Sequence, residues 1–395
     1  MPRPLDLFDK TVVVLMALGA VVVFEPAPFD LLIVLLIPIA VVTRRLAIPR
    51  VSSFALLCVG GFLLATVISL LAARDLRAGL RFEAITLYLI GAWAFVLGLV
   101  GKQQLHAIRV VMLGWTIGAI GFTTVALAAY FNFLPLAEIV APSGRLLGFF
   151  KDPNVFGAYL VPPAIWAAAR LISLDRGRRL LPVITLLVCA AGVFLSYSRG
   201  AWISLGVGMI GFFGLRLVGF GTRRMRIMTL LAVPVAVVVL ALALERLADV
   251  AVVRDMLEIR LAPQAYDVDR FATQREALDV ATRSPFGIGP GQTELSFAHA
   301  THNTYVRGFV ESGYLGGLCL IMLMLVSTLR AIWLALDVRE PGLQSAMAMV
   351  AASLTALCVE SLVIDTIHWR HLWVLLAFAW TPVLSADRRA LTSSR

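Results

Sequence analysis

Long apolar stretches separated by short polar ones dominate the chain. Twelve such stretches fall near residues 11–24, 28–42, 52–73, 83–100, 108–130, 155–171, 180–197, 200–219, 227–244, 304–329, 343–364 and 369–385. A helix needs about 20 mainly apolar residues to cross the hydrocarbon core of a bilayer. The pattern therefore predicts an all-α polytopic membrane protein with about twelve transmembrane helices.

One long polar segment, residues 245–303, interrupts this pattern between the ninth and tenth predicted spans. Its first apolar residues recur at helical spacing, at Leu247, Val250, Val253, Leu257 and Leu261. A second helix is predicted over 268–283, ending before Pro285, and the glycines of "GIGPGQ" (287–292) predict a turn. We interpret residues 245–303 as a helical cap inserted into a single integral membrane domain that comprises residues 1–395.

The composition agrees with a membrane protein. Hydrophobic residues make up 60% of the 395 positions and charged residues 15%, whereas soluble domains average about 25% charged residues. The net charge of +10 is typical of basic cytoplasmic loops, so we do not expect a nucleic-acid partner. All four cysteines fall in apolar stretches, which indicates small core residues rather than disulfides or metal ligands.

Arginine and lysine set the predicted orientation. Most of the 34 basic residues fall on the side of the two termini, including the clusters "DRGRR" (175–179) and "TRRMR" (222–226) in short loops. Because cytoplasmic loops carry the excess of positive charge, both termini are predicted to be cytoplasmic and the cap to be periplasmic. The segment "RDLRAGLR" (74–81) is an exception, since it would lie outside. The chain leads directly into the first span, so no cleavable signal peptide is predicted.

The segment "CAAGVFLSYSRGAWISLGVG" (189–208) contains one arginine, Arg199, among apolar residues. An arginine at the centre of a membrane helix costs at least about 2.5–3.5 kcal/mol. The predicted topology avoids this cost, because it places Arg199 in the outer turn between the seventh and eighth spans. Ser196, Ser198 and Gly200 would add donors and allow close backbone approach to an anion. The alternative is an arginine that only snorkels to the membrane surface.

Two further candidates, Arg270 and His302, lie within the predicted cap. Arg270 lies near the start of the predicted helix 268–283, where the backbone also favours anions, whereas Arg275 and Arg283 are interpreted as a solvated face. His302 stands at the mouth of the tenth span, and histidine is the side chain best suited to proton transfer near neutral pH.

Other charged or acidic patterns are interpreted structurally. Arg307 and Glu311 are four residues apart on a predicted helix and can form an ion pair. The acidic pair in "DVD" (267–269) is interpreted as helix capping. The segment "IDTIHWRHLW" (364–373), with His368 and His371, is predicted to be an interfacial belt.

The order of these motifs resembles the O-antigen ligase family, whose superfamily also holds O-antigen and exopolysaccharide polymerases. The resemblance covers roughly residues 140–320. It rests on "GFFKDPNVFG" (148–157), "SYSRGAW" (196–202), an arginine in a cap helix, "GIGPGQ" and "HNTYVRGFVESGYLGG" (302–317).

The resemblance implies a glycosyltransferase of the bacterial inner membrane that takes its donor, an undecaprenyl-diphosphate-linked glycan, on the periplasmic side. The acceptor would be lipid A–core or another glycan, membrane lipid would surround the protein, and no metal or other cofactor is expected. Arg199 and Arg270 would hold the diphosphate and His302 would act as the base. The sequence leaves His299, His368 and His371 open as alternative bases. The substrate-binding residues expected around them are Arg145, Lys151, Asn154, Ser196, Ser198, Asn303 and Glu311.

Two other functions stay open on the sequence. A polymerase would use the same donor, so the donor motifs do not separate it from a ligase. A transporter or flippase of lipid-linked oligosaccharides would also suit twelve spans. Transporters, however, usually carry repeat halves and polar residues at the membrane midplane, whereas the ionisable residues of this chain gather at the outer face and in the cap.

Overall fold

The computed structural model of the chain describes residues 4–173, 179–219, 227, 245–246, 249–262 and 265–383. All regular secondary structure within these ranges is helical. The helices are α1 (Leu7–Leu18), α2 (Pro28–Val42), α3 (Ser53–Ser69), α4 (Leu76–Gln103), α5 (Leu105–Tyr130), α6 (Ala137–Val140), α7 (Pro153–Ser173), α8 (Leu180–Leu195), α9 (Arg199–Gly219), α10 (Ala251–Leu261), α11 (Ala265–Arg283), α12 (Thr293–Ser296), α13 (Thr304–Asp337), α14 (Pro341–Glu360) and α15 (Arg370–Phe378). The all-α prediction is confirmed for the described part of the chain.

Seven of the described helices are long and apolar enough to cross a membrane. Six of them are α4, α5, α7, α9, α13 and α14. The seventh is the helical stretch Arg50–Ala72, in which a short 3-10 turn extends α3 at each end. Each coincides with a predicted span. The spans predicted at 28–42 and 180–197 are shorter apolar helices, α2 and α8. The ninth predicted span, 227–244, lies outside the described residues apart from position 227. The count of twelve spans is therefore not confirmed.

The last predicted span differs from the expectation. Instead of a helix over 369–385, α15 covers nine residues, about 14 Å of helix, which is roughly half of a bilayer core. Its side chains are surrounded by protein, and Trp369 and Trp373 are only 6% and 1% exposed. The prediction of an interfacial belt is wrong here, because α4 packs along α15 and covers the surface that a lipid-facing helix would expose.

Loops that the topology assigns to the same side of the membrane contact each other. On the predicted outer side, the contacts are Val22 with Phe149, Asp75 with Gln292, and Arg145 with Ser196. On the predicted inner side, Ala47 N–H donates to the Gly98 carbonyl and Gln344 to the Gly219 carbonyl. Helices of alternating direction produce this grouping, and the candidate residues all belong to the outer group.

Within the outer group, Asp75 and Gln292 form a reciprocal pair. The Asp75 N–H donates to Gln292 Oε1, and Gln292 Nε2 donates to the Asp75 carbonyl, both over 3.0 Å. Gln292 is the last residue of the predicted "GIGPGQ" turn, and the turn is confirmed, since Gly287, Gly289 and Gly291 all have positive φ. This turn therefore docks beside the start of α4, whose first turn Asp75 caps.

The helix α13 bends where it leaves the outer loops. Gly313 has φ 67° and ψ −170°, so α13 consists of a short outer segment and a long segment that continues through the bundle. The outer segment begins at Asn303, whose side chain accepts hydrogen bonds from the Tyr305 and Val306 N–H groups. The helix α13 packs against α3 and α14, and in its outer segment the Tyr305 hydroxyl donates to the Cys358 carbonyl of α14 over 2.8 Å.

Candidate active site

Arg199 is the first residue of α9, directly after a tight turn that follows α8. We call residues 196–199 the serine–arginine turn. Ser196 Oγ donates to the Val193 carbonyl over 2.7 Å, and Ser198 Oγ accepts from the Ala201 N–H over 3.3 Å, as an N-cap residue does. The prediction placed Arg199 in the turn between the seventh and eighth spans, whereas the structure places it directly after that turn, as the first residue of α9.

Both serine hydroxyls are buried and hydrogen-bond the backbone of the adjoining helix ends, Ser196 in α8 and Ser198 in α9. They shape the backbone around Arg199, whereas the expectation was that they offer free donors to an anion. A direct contact of Ser196 or Ser198 with substrate stays a prediction.

Two arginines from distant parts of the chain hold this turn. Arg145 Nε donates to the Ser196 carbonyl over 3.0 Å, and Arg260 Nε donates to the Tyr197 carbonyl over 3.2 Å. Helix C-termini leave carbonyls without partners, so these guanidinium groups satisfy acceptors at the end of α8. Arg145 was predicted as a substrate-binding residue of this region. Arg260 was not predicted, because nothing in the helical pattern around it shows which backbone carbonyl it will contact.

Asn154, in the first turn of α7, accepts a hydrogen bond from Arg145. Arg145 Nη2 donates to Asn154 Oδ1 over 3.0 Å, and the Asn154 N–H donates to Asp152 Oδ1 over 2.6 Å. Lys151 points elsewhere and pairs with Glu25 in the loop before α2. The hydrogen bond from Lys151 lowers the pKa of the Glu25 carboxyl. Arg145 and Asn154 therefore lie together at the serine–arginine turn, and Lys151 lies apart from them.

The cap helix α11 confirms the helix predicted over 268–283 and carries Arg270 to the start of α13. Ala277 and Ala281 of α11 pack against Phe297, Val306 and Val310 in a small apolar cluster. Gln274 Nε2 donates to the Thr301 carbonyl over 2.9 Å, one residue before His302. The Arg270 guanidinium lies over the Phe271 ring, 5.5 Å from its centroid. This docking brings Arg270 into the electrostatic environment of His302.

His302 keeps an exposed surface, and its backbone has a positive φ of 46°. Partial desolvation lowers the pKa of its imidazole, and the charge of Arg270 lowers it further. The carboxylates of Asp152, Asp365 and Glu294 act in the opposite direction. The charges that act on the ring are those of one guanidinium and three carboxylates, and its lowered pKa favours the neutral form that can accept a proton.

We call Arg307, Glu294, Glu311 and Asp365 the carboxylate network; Arg307 and Glu311 are buried, Asp365 is half-buried and Glu294 is exposed. The Arg307 guanidinium pairs with Asp365 over 2.6 Å, with Glu294 over 2.8 Å and with Glu311 over 3.1 Å. The predicted Arg307–Glu311 pair is confirmed. Glu311 also accepts from the Thr293 N–H and hydroxyl, so its carboxylate is engaged by protein groups, and its predicted contact with substrate stays a prediction.

The end of α14 lies close both to Gly200, directly after the serine–arginine turn, and to the residues that follow His302. A Cβ atom placed on Gly200 would lie 3.1 Å from Glu360 Oε1, at the end of α14. The next residue, Ser361, accepts at its carbonyl from the Thr304 N–H over 3.0 Å. Asn303 Nδ2 donates to the Leu362 carbonyl beside it. Gly200, which follows Arg199, and Asn303 and Thr304, which follow His302, thus meet at the same end of α14.

Comparison with known proteins identifies the central segment. Residues 184–321 match a family described as O-antigen ligase. This match supports assignment to the O-antigen ligase family. No curated protein matches the chain significantly. The matched segment contains Arg199, Arg260, Arg270 and His302 and excludes the loop with Arg145.

The apolar helices suggest a multi-pass membrane protein, and the match over residues 184–321 supports an enzyme of glycan assembly in general. The match suggests a lipid-linked glycan and an acceptor glycan as substrates in general. Among the described residues, no group of three or more His, Cys, Asp or Glu is arranged to hold a metal ion. The charged groups that the described site does present are arginines and carboxylates.

The structure also separates the four outer histidines. His371 is 4% exposed and is surrounded by the rings of Trp115, Tyr159 and Trp369. His368 stacks on Phe82 and hydrogen-bonds Thr86 Oγ1 over 3.1 Å. His299 is exposed. His371 is therefore buried and His368 half-buried, whereas His299 and His302 are exposed.

Proposed function

We propose that the protein is a membrane glycosyltransferase that moves a glycan from undecaprenyl diphosphate to an acceptor sugar. In the form that the family description favours, it is an O-antigen ligase and the acceptor is lipid A–core. The observation that carries the proposal is the placement of His302 beside Arg270, next to the end of α14 that also meets the serine–arginine turn.

Arginine chemistry suits the donor. When the bond between the anomeric carbon and the diphosphate oxygen breaks, the electron pair leaves with the diphosphate. The planar guanidinium fork matches phosphate oxygens in a bidentate way, so Arg199 and Arg270 stabilise the charge that develops there. The proposal assigns this task to arginines and uses no metal ion.

His302 is the proposed general base. Its neutral imidazole takes the proton of the acceptor hydroxyl while the hydroxyl oxygen forms a bond to the anomeric carbon. The lowered pKa of His302 supports this role, because a larger fraction of the rings is neutral at neutral pH. A single displacement of this kind inverts the configuration at the anomeric carbon.

The proposed location is the bacterial inner membrane, with both termini cytoplasmic and the site on the periplasmic face. The excess of arginine and lysine in the loops opposite the site supports this orientation. The mutual contacts of the predicted outer loops, from Val22 to Asn303, agree with it.

The decisive experiment measures glycan transfer by the purified protein in detergent, with a defined diphosphate-linked donor. We expect Arg199→Ala and Arg270→Ala to lower kcat by about 10²–10³-fold, as the loss of one transition-state donor does elsewhere. His302→Ala should lower it by about 10²–10⁴-fold. Arg199→Lys should also be impaired, because lysine keeps the charge and loses the fork.

Matched controls lie close by. Arg275 is an exposed arginine on the same helix as Arg270, and His299 is an exposed histidine near His302. Arg275→Ala and His299→Ala should keep transfer within about twofold of the parent protein, as neutral surface changes do. Full activity in all three site variants would rule out the site assignment.

The acceptor decides between ligase and polymerase. Offering lipid A–core and a second lipid-linked repeat unit in parallel reactions shows which one is extended. Transfer to either acceptor in detergent, where no second compartment exists, argues against a transporter.

A further inference from the structure

The serine–arginine turn holds a strained backbone. Tyr197 has a φ of 48°, in the left-handed region that residues other than glycine rarely adopt. Such a conformation persists only where the surroundings hold it. The Tyr197 ring is fully buried, and its hydroxyl hydrogen-bonds the Tyr130 hydroxyl over 3.2 Å. The side chain is therefore fixed by the membrane bundle, whereas the adjacent carbonyl is turned toward the cap.

The hydrogen-bond donor to the Tyr197 carbonyl comes from the cap. Arg260 Nε donates to the Tyr197 carbonyl over 3.2 Å, across 63 residues of sequence. Arg260 lies on α10, on the same helical face as Val253, Met256 and Leu257, which pack against the main core. Met256 contacts the neighbourhood of Gly144, the residue before Arg145. The apolar face of α10 thus delivers Arg260 to the turn.

We propose that Arg260 is a positioning residue that lets the docked cap lock the left-handed turn and thereby aim Arg199 at the diphosphate. This inference rests on the proposed function for the role of Arg199, while the clamp itself rests on the contacts of Arg260 alone. Docking of α10 and completion of the arginine site are then one event, because the same guanidinium takes part in both. Arg145, from the loop before α7, donates to the neighbouring Ser196 carbonyl, so two arginines from different parts of the chain hold the turn.

The test compares Arg260→Ala with Arg254→Ala, which removes an exposed arginine from the same helix. Two measurements are made: hydrogen exchange of the amides at 197–202 in the substrate-free protein in nanodiscs, and kcat and the acceptor KM for glycan transfer. Arg260→Ala should speed exchange at Ala201 and Trp202, whose N–H groups bond to Ser198, and should lower kcat by about 10–100-fold with an unchanged acceptor KM. Arg254→Ala should leave both quantities within about twofold.

Conservative variants cover the case in which Arg260→Ala does not fold. Arg260→Lys and Arg260→Gln can each still donate one hydrogen bond. In both variants the amides at 197–202 should therefore exchange more slowly, and glycan transfer should be faster, than in Arg260→Met, which has no donor at position 260. Exchange at 197–202 in the Arg260 variants equal to that of Arg254→Ala would overturn the clamp, whatever the activity. Faster exchange together with unchanged kcat would overturn the positioning role. Faster exchange in a protein whose parent transfers no glycan would leave the clamp standing and remove the proposed function.

Discussion

At the scale of single residues, the site is defined by charges around His302. Arg270 and desolvation lower its pKa, while Asp152, Asp365 and Glu294 raise it. Asp152 is the carboxylate best suited to a test, because asparagine at this position still accepts the hydrogen bond from the Asn154 N–H.

We predict that Asp152→Asn shifts the acidic limb of the pH dependence of kcat/KM to lower pH. Removing the negative charge removes an influence that raises the pKa of His302, so the ring stays neutral to lower pH. The measurement is transfer rate against pH, where kcat/KM reports groups of the free enzyme. Glu276→Gln, which removes an exposed carboxylate from α11, is the control and should leave the limb in place. A limb that moves to higher pH would show that His302 is not the group being titrated.

The residue types at the site could be predicted from the sequence, but their contacts could not. Arg199, Arg270 and His302 stand out because charged side chains are conspicuous in an apolar chain. That Arg145 and Arg260 bind backbone carbonyls of the turn depends on how the loops fold over one another, which no local pattern contains. The same holds for Asp152, whose influence on His302 joins residues 150 positions apart in sequence.

At the scale of elements, the bend in α13 is the feature that places His302 and the carboxylate network above the bundle. Two glycines make it possible, since a Cβ atom on Gly313 would lie 2.3 Å from the Pro285 carbonyl oxygen and one on Gly287 would lie 2.3 Å from the Glu311 carbonyl oxygen. The Tyr314 N–H closes the contact by donating to the Pro285 carbonyl over 3.0 Å.

We predict that Gly313→Ala destabilises the protein. The positive φ alone costs a non-glycine residue on the order of 1–3 kcal/mol, and the clash with Pro285 adds to it. The measurement is the apparent Tm of the purified protein. Gly206→Ala is the control, because Gly206 lies within α9 with no atom near its missing Cβ, and alanine there should be neutral or stabilising by up to about 1 kcal/mol. Equal Tm values for the two variants would contradict the role given to the bend.

Helix starts were predictable because their signals are local. Asn303 caps α13 as a short polar side chain can, and the helix stopping before Pro285 follows from the proline itself. The burial of α15 was not predictable, since its apolar sequence fits a lipid-facing helix and a protein core equally well.

At the scale of the whole molecule, the prediction concerns orientation. Arg275 lies on the cap and Lys102 at the opposite group of loops, and both are exposed. In intact cells, a cysteine introduced as Arg275→Cys should react with a membrane-impermeant maleimide. Lys102→Cys should react only after the inner membrane is permeabilised.

The four native cysteines lie in apolar segments and give a low background, which the parent protein measures. Labelling of Lys102→Cys alone in intact cells would invert the topology and place the candidate site in the cytoplasm. The number of crossings was hard to predict, because α15 has the hydropathy of a span without its length.

The reciprocal pair of Asp75 and Gln292 has a consequence for how the protein is made. The two residues are 217 positions apart, and bacterial-type synthesis at about 5–20 residues per second separates their emergence by roughly 10–40 seconds. During that interval Asp75, at the start of α4, lacks its two hydrogen bonds with Gln292. The contact between the start of α4 and the "GIGPGQ" turn can therefore form only after residue 292 has been synthesised. We expect a chain truncated before residue 292 to insert into the membrane without this contact and to be degraded faster than the full chain.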